Sequence, residues 1–153
     1  MMKSPVVHNP SQKPDIKLCA NANLRQATRI ISQLYDATLK PAGIKATQFT
    51  MLAVLAKRGE MPLTKLAELL VVDRTTLTRN LQPLIKKGWL KIGREVDERV
   101  RLISITKEGE GLVSDATPYW QHAQEIVQSS IGTEKVPELI SDLNALVKKV
   151  QER

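Results

Sequence analysis

Aromatic side chains are scarce in this sequence, at 3% of 153 residues, while Leu, Ile, Val and Ala are plentiful. That balance speaks against a β-sandwich and for helices packed through aliphatic ridges. Cysteine is nearly absent too. Cys19 stands alone, which excludes an intrachain disulfide and argues against a small, bridged, secreted scaffold. The two histidines, His8 and His122, fall in no nucleophile or metal-ligand spacing, and no glycine-rich phosphate loop occurs. Neither an enzyme nor a metal or other cofactor is therefore expected. No stretch reaches the roughly eighteen consecutive apolar residues of a membrane span, and the polar, proline-containing start lacks the apolar core of a signal peptide. The expected setting is the cytoplasm, with no membrane partner.

Acidic residues are outnumbered, 16 against 23 Lys and Arg, for a net charge of +7. A chain so charged holds polyanions close, nucleic acid and anionic lipid surfaces foremost. Hydrophobic residues, at 42%, suffice for the core of one domain.

Pro5, Pro10 and Pro14, with no hydrophobic period around them, mark residues 1–15 as a flexible arm, and residues 16–153 read as a single domain. From Ile16 to about Leu39, Ala20, Leu24, Ala27, Ile31 and Leu34 recur at alternating spacings of four and three, one stripe along a long helix ended by Pro41 and Gly43. Thr47 is set to cap a second helix carrying Phe49, Leu52, Ala53 and Ala56, and Met61 and Pro62 read as a short connector. Thr64 and Asp73 are the expected caps of two further helices, the later one carrying Leu77, Leu81, Leu84 and Ile85 and stopping at Gly88. The period then changes, because Trp89 to Gly93 and Val100 to Ile105 read as the strands of a hairpin. Thr106 can cap a long helix through Trp120, with a bend expected at Pro118, and a final helix follows Thr133.

The small Ala67, with Leu77 ten positions later, has the spacing of a helix-turn-helix, although Val71 stands where a glycine often eases the turn. A hairpin directly after such a motif is a wing. The expected fold is thus mostly α with a small β-hairpin wing: a winged helix-turn-helix over residues 47–106, flanked by helices over 16–45 and 107–153. The flanking stripes exceed what so small a winged domain can cover, which assigns them to dimerisation.

With its leucines inward, the helix after Asp73 presents Arg74, Thr75, Thr78, Arg79 and Gln82 outward near its start. The N-terminal residues of a helix in the major groove read bases, where Arg donates two bonds to guanine and Thr meets base edges or the thymine methyl. Between Arg74 and Arg101, eight basic residues, Arg94 among them, stand against three acidic ones. A solvated surface explains scattered charge, but this charge coincides with the reading helix and the wing, which favours double-stranded DNA as partner. Pro83 is expected to bend or shorten the far end of the helix. The alternative is a winged helix used only for protein contacts, which would not need a basic reading face.

From Cys19 to the last helix the chain resembles the MarR (multiple-antibiotic-resistance regulator) family. The run Asp97-Glu98-Arg99, followed by Ile103, Ile105, Thr106 and Gly109, is similar to that family's D-x-R…V-x-L-T-x-x-G pattern, with isoleucines for its Val and Leu. The stretch Arg74-Thr75-Thr76-Leu77-Thr78-Arg79 resembles its recognition helix, and Leu84, Gly88 and Leu90 match the exit into the wing, while Pro83 departs from the commonest pattern. The resemblance implies a transcriptional regulator, a repressor released from its operator by a small-molecule or oxidant signal. It also implies a triangular homodimer in which terminal helices interlock and two winged domains read a pseudo-palindrome, with Arg99 in the minor groove and Asp97 orienting it. Many members respond to small phenolic or aromatic acids bound between the dimer region and the winged domain, for which Arg25, Phe49 and Trp120 are the candidate lining. Cys19 is a candidate oxidant sensor by likeness to the organic-hydroperoxide regulators, since a thiol near a helix N-terminus gains thiolate character. The other reading of Cys19 is a small buried hydrophobe.

Overall fold

The computed structural model describes residues 13–94 and 100–153. Its helices are α1 (Ala20–Leu39), α2 (Ala46–Arg58), α3 (Leu63–Leu70), α4 (Arg74–Lys86), α5 (Lys107–Ile131) and α6 (Lys135–Gln151), and its strands are β1 (Met61–Pro62), β2 (Leu90–Arg94) and β3 (Arg101–Ile105). The chain divides into two compact units, residues 1–33 and 34–153.

In the first unit the stripe read as one helix from Ile16 is broken in two. A 3-10 turn covers Ile16–Leu18, capped by Asp15, whose carboxylate accepts the Lys17 N–H at 3.0 Å. Cys19 follows in extended backbone (φ −77°, ψ 113°), so it precedes α1 rather than sitting in its first turns. The cause lies in Asn23, whose side-chain amide donates to the carbonyls of Lys17 (2.9 Å) and Cys19 (2.8 Å) and fastens the turn to α1. Most of the expected arm, residues 1–12, lies outside the described residues.

The second unit holds the core. Leu77, Leu81 and Leu84 of α4 fall to 1% exposure or less, meeting Leu52 and Leu55 of α2, Leu66 of α3 and Ile103 of β3 in one apolar cluster. The sheet has the order β1-β3-β2, all antiparallel. Met61 and Pro62, read from sequence as a connector, instead pair with Ile103 and Leu102. Met61 is buried at the same time, and Pro62 loses nothing by lacking an N–H at a sheet edge.

Strand β1 runs straight into α3, so α3 begins at Leu63 without a side-chain cap and Thr64 is its second residue rather than its cap. Thr47 does not cap α2 either. Asp36 of α1 reaches across and accepts the Ala46 N–H at 2.8 Å, while the Gln48 side chain accepts the Lys45 N–H at 3.1 Å. Asp73 and Thr106 cap α4 and α5 as the sequence suggests. α4 is not shortened at Pro83: the ring is exposed and sits in the last turn, where the missing N–H costs one bond and the helix continues to Lys86. α5 likewise runs through Pro118 without interruption.

Between α3 and α4, Val71 takes the left-handed conformation (φ 53°, ψ 48°). Its N–H reaches the Glu68 carbonyl at 3.2 Å, and the Val72 N–H reaches Ala67 at 3.0 Å, so the end of α3 is closed with two of its carbonyls paired. A β-branched residue at positive φ is strained, and here the turn geometry overrides that preference. No residue of α6 is buried.

Candidate nucleic-acid interface

Asp73 starts the site. Its carboxylate accepts the Thr76 N–H at 2.8 Å and the Thr76 hydroxyl at 2.6 Å. The Thr76 hydroxyl first, and its backbone N–H second, hold the exposed Asp73 carboxyl below the ordinary carboxylate range. Thr76 is half-buried and committed to this cap, so it shapes the start of α4 rather than presenting its hydroxyl outward. Four and eight residues beyond Asp73, Leu77 and Leu81 anchor the inner face, which by helical period leaves Arg74, Thr75, Thr78 and Arg79 on the outside. All four are exposed, and they alone line a shallow, open depression of about 420 Å³. A rigid, capped helix thus presents two guanidinium groups and two hydroxyls, donors suited to base edges and phosphates.

The wing brings a second basic element alongside. Arg94 closes β2 in register with Arg101, which opens β3 and is exposed. Asp97 and Arg99, at the tip, lie outside the described residues. At the wing's base Lys87 Nζ stands 4.5 Å from the centre of the Trp89 ring. Sequence reading passed over this cation–π pair, although a Lys and Trp two residues apart at a helix exit is a local signal that could have been noticed.

The remaining candidates separate. Phe49 is buried and stacks on Trp120 of α5, ring centres 6.2 Å apart and planes 27° off parallel. Beside them runs a groove of about 390 Å³ lined by Ala53, Val54, Lys57 and Arg58 of α2. The two cations were missed, although Phe49, Ala53 and Lys57 follow one another at a spacing of four along one helix face. Arg25 lies exposed on α1 in the first unit, and Cys19, half-buried, also belongs there. Among the described residues no group of three or more His, Cys, Asp or Glu could hold a metal, and no helix is long and apolar enough to cross a membrane.

Known proteins share this arrangement. The MarR family model matches residues 44–99. A crystal structure of the M. tuberculosis transcriptional regulator MosR in complex with DNA is 32% identical, covers 86% of this chain and 98% of that one, and gives a TM-score of 0.76. The multiple antibiotic resistance protein MarR of Salmonella typhimurium is 29% identical over 77% of this chain and 81% of its own length. The uncharacterized HTH-type transcriptional regulator YwoH of Bacillus subtilis is 30% identical over 57% of this chain, which spans 64% of that relative. A capped helix with its wing, a matching sequence model and a shared fold over most of the chain converge on one assignment: this protein belongs to the MarR family.

Proposed function

We propose that the chain is a sequence-specific, DNA-binding transcriptional regulator that acts as a homodimer in the cytoplasm, repressing until a small-molecule or oxidant signal releases it. The observation that carries this reading is the outward face of α4, where Arg74, Thr75, Thr78 and Arg79 stand together on a helix fixed by Asp73. Arg79 reads bases in the major groove, while Arg94, Arg101 and the tip residues Asp97 and Arg99 engage the minor groove and backbone. Residues 47–106 form the reading head, and 16–45 with 107–153 form the dimer region. The similar M. tuberculosis regulator was crystallised with DNA, and its likeness covers 86% of this chain, which supports the reading. We assign the protein no catalytic step, since its relatives are regulators.

The groove beside Phe49 and Trp120 suits an aromatic carboxylate, with ring against ring and the anion toward Lys57 and Arg58. Oxidation at Cys19 is the second route by which a signal enters. The test is selection from a random duplex library followed by titration at several salt concentrations. A pseudo-palindrome with half-sites about one helical turn apart, bound with a steep salt dependence, is expected. Failure to enrich any duplex would overturn the reading in favour of a protein-contact module.

A further inference from the structure

Thr106 does more than cap α5. Its hydroxyl accepts the Gly109 N–H of α5 at 3.1 Å and donates to the carbonyl of Gly88 at 2.6 Å, across 18 residues of chain. Its backbone N–H reaches the next carbonyl, that of Trp89, at 3.0 Å. Gly88 and Trp89 directly follow Lys87, the C-cap of α4, and they are themselves tied back to that helix. The Gly88 N–H donates to Ile85 at 2.9 Å and the Trp89 N–H to Leu84 at 3.0 Å. On the other side, α5 presses so close that a Cβ on Gly109 would stand 2.3 Å from the Trp89 carbonyl oxygen and 2.7 Å from Ile105 Cγ1. An unbroken series of short contacts therefore runs from the last turn of α4 through one hydroxyl to the first turn of α5. The same junction closes the base of the wing, because β2 begins at Leu90 and β3 ends at Ile105.

We propose that Thr106 is a positioning residue for DNA reading: by holding the Gly88 carbonyl and the start of α5 on a single hydroxyl, it makes α4 turn as one body with α5. A hydroxyl has one proton to donate and lone pairs to accept, and here both capacities are spent on opposite sides of the junction. α5 continues for 25 residues to Ile131, past Trp120, so a displacement anywhere along that rod arrives at the exit of α4. Gly109 serves the same end by sparing the space that a side chain would take. The role in reading rests on the DNA-binding proposal above, whereas the coupling itself does not.

The test uses the full chain with Thr106→Val, which keeps the shape and removes the hydroxyl, and Thr106→Ser, which keeps the hydroxyl. Each is titrated with the selected duplex and with a scrambled one of equal length. Thr106→Val is expected to lower the ratio of the two affinities by about tenfold while scrambled binding, set by phosphate contacts, stays within about twofold. Thr106→Ser should keep the ratio within about threefold of native. Hydrogen exchange without DNA supplies the independent arm: in Thr106→Val the amides of residues 85–89 should exchange about tenfold faster while those of α2 do not change. An unchanged ratio with unchanged exchange in Thr106→Val would overturn the proposal. So would a loss in Thr106→Ser equal to that in Thr106→Val, or a loss of protection in α2 as well, which would mark a plain folding defect. Should the native protein select no duplex, the DNA reading falls and the exchange arm alone decides the junction.

Discussion

Helices α4 and α6 carry comparable aliphatic side chains at helical spacing, yet the chain treats them differently. α4 buries Leu77, Leu81 and Leu84 to 1% exposure or less. α6 leaves Leu139, Ile140, Leu143, Leu146, Val147 and Val150 between 37% and 60% exposed. Leucine is the same residue in both, so the difference lies in what each helix finds to pack against. Helix α4 is finished within its own chain, whereas the aliphatic face of α6 is left uncovered by it. Six partly exposed side chains, each worth on the order of 1 kcal/mol when covered, are a strong reason for a second copy to cover them.

The largest effect should come from charging that face. Leu143→Glu with Leu146→Glu is expected to give a monomer in sedimentation and to weaken binding to a palindromic duplex by about a hundredfold or more, since two linked reading heads become one. A double variant that remained dimeric would break the contrast. Next comes the finished half: Gly109→Ala places a methyl against the Trp89 carbonyl and should lower unfolding stability by about 1 to 3 kcal/mol in denaturant titration, without altering association. Stability unchanged there would mean that the junction has room to give.

Arg79→Ala should cost about 1 to 3 kcal/mol of selected-site affinity and relax the preference at one base pair, whereas Arg101→Ala should weaken all duplexes evenly and reduce the salt slope by about 1. Parallel losses in both would remove the distinction between reader and clamp. Val71→Gly should stabilise by about 0.5 to 1 kcal/mol, because glycine relieves the left-handed strain and the valine is exposed enough to lose little burial. The smallest effect concerns Asp73. Its carboxyl is held below the ordinary range in the fold, so the capping contribution is present above the unfolded-state value and is lost as the pH falls through the folded one. The melting temperature of Asp73→Ala should therefore lie below native at neutral pH and converge with it under strong acid.

The parts legible in the sequence were those whose cause is local. Asp73 and Thr106 lie next to the amides they cap, and the leucines of α4 announce their face by spacing alone. Other features depend on distant partners. β1 became a strand because Ile103 and Leu102, forty residues on, offered their backbone, and nothing at Met61 and Pro62 announces that pairing. Asp36 displaced Thr47 as the cap of α2 from ten residues upstream. Cys19 left its helix because Asn23 found two carbonyls to hold. Lys57 and Arg58 joined an aromatic groove only when α5 laid Trp120 beside α2.

The small sheet has a further consequence, for how the protein tolerates crowding by its own copies. An open β-edge is a template onto which another chain can add a strand. Here one edge, β1, is two residues long and one of them is Pro62, which has no N–H to offer. The other, β2, carries the exposed Lys91 and the bulk-free Gly93, both poor partners for a docking strand. Both edges of the sheet are thus poor templates for strand addition, which leaves the uncovered aliphatic face of α6 as the surface better suited to a second copy, and a face that pairs with itself closes instead of growing into a fibre.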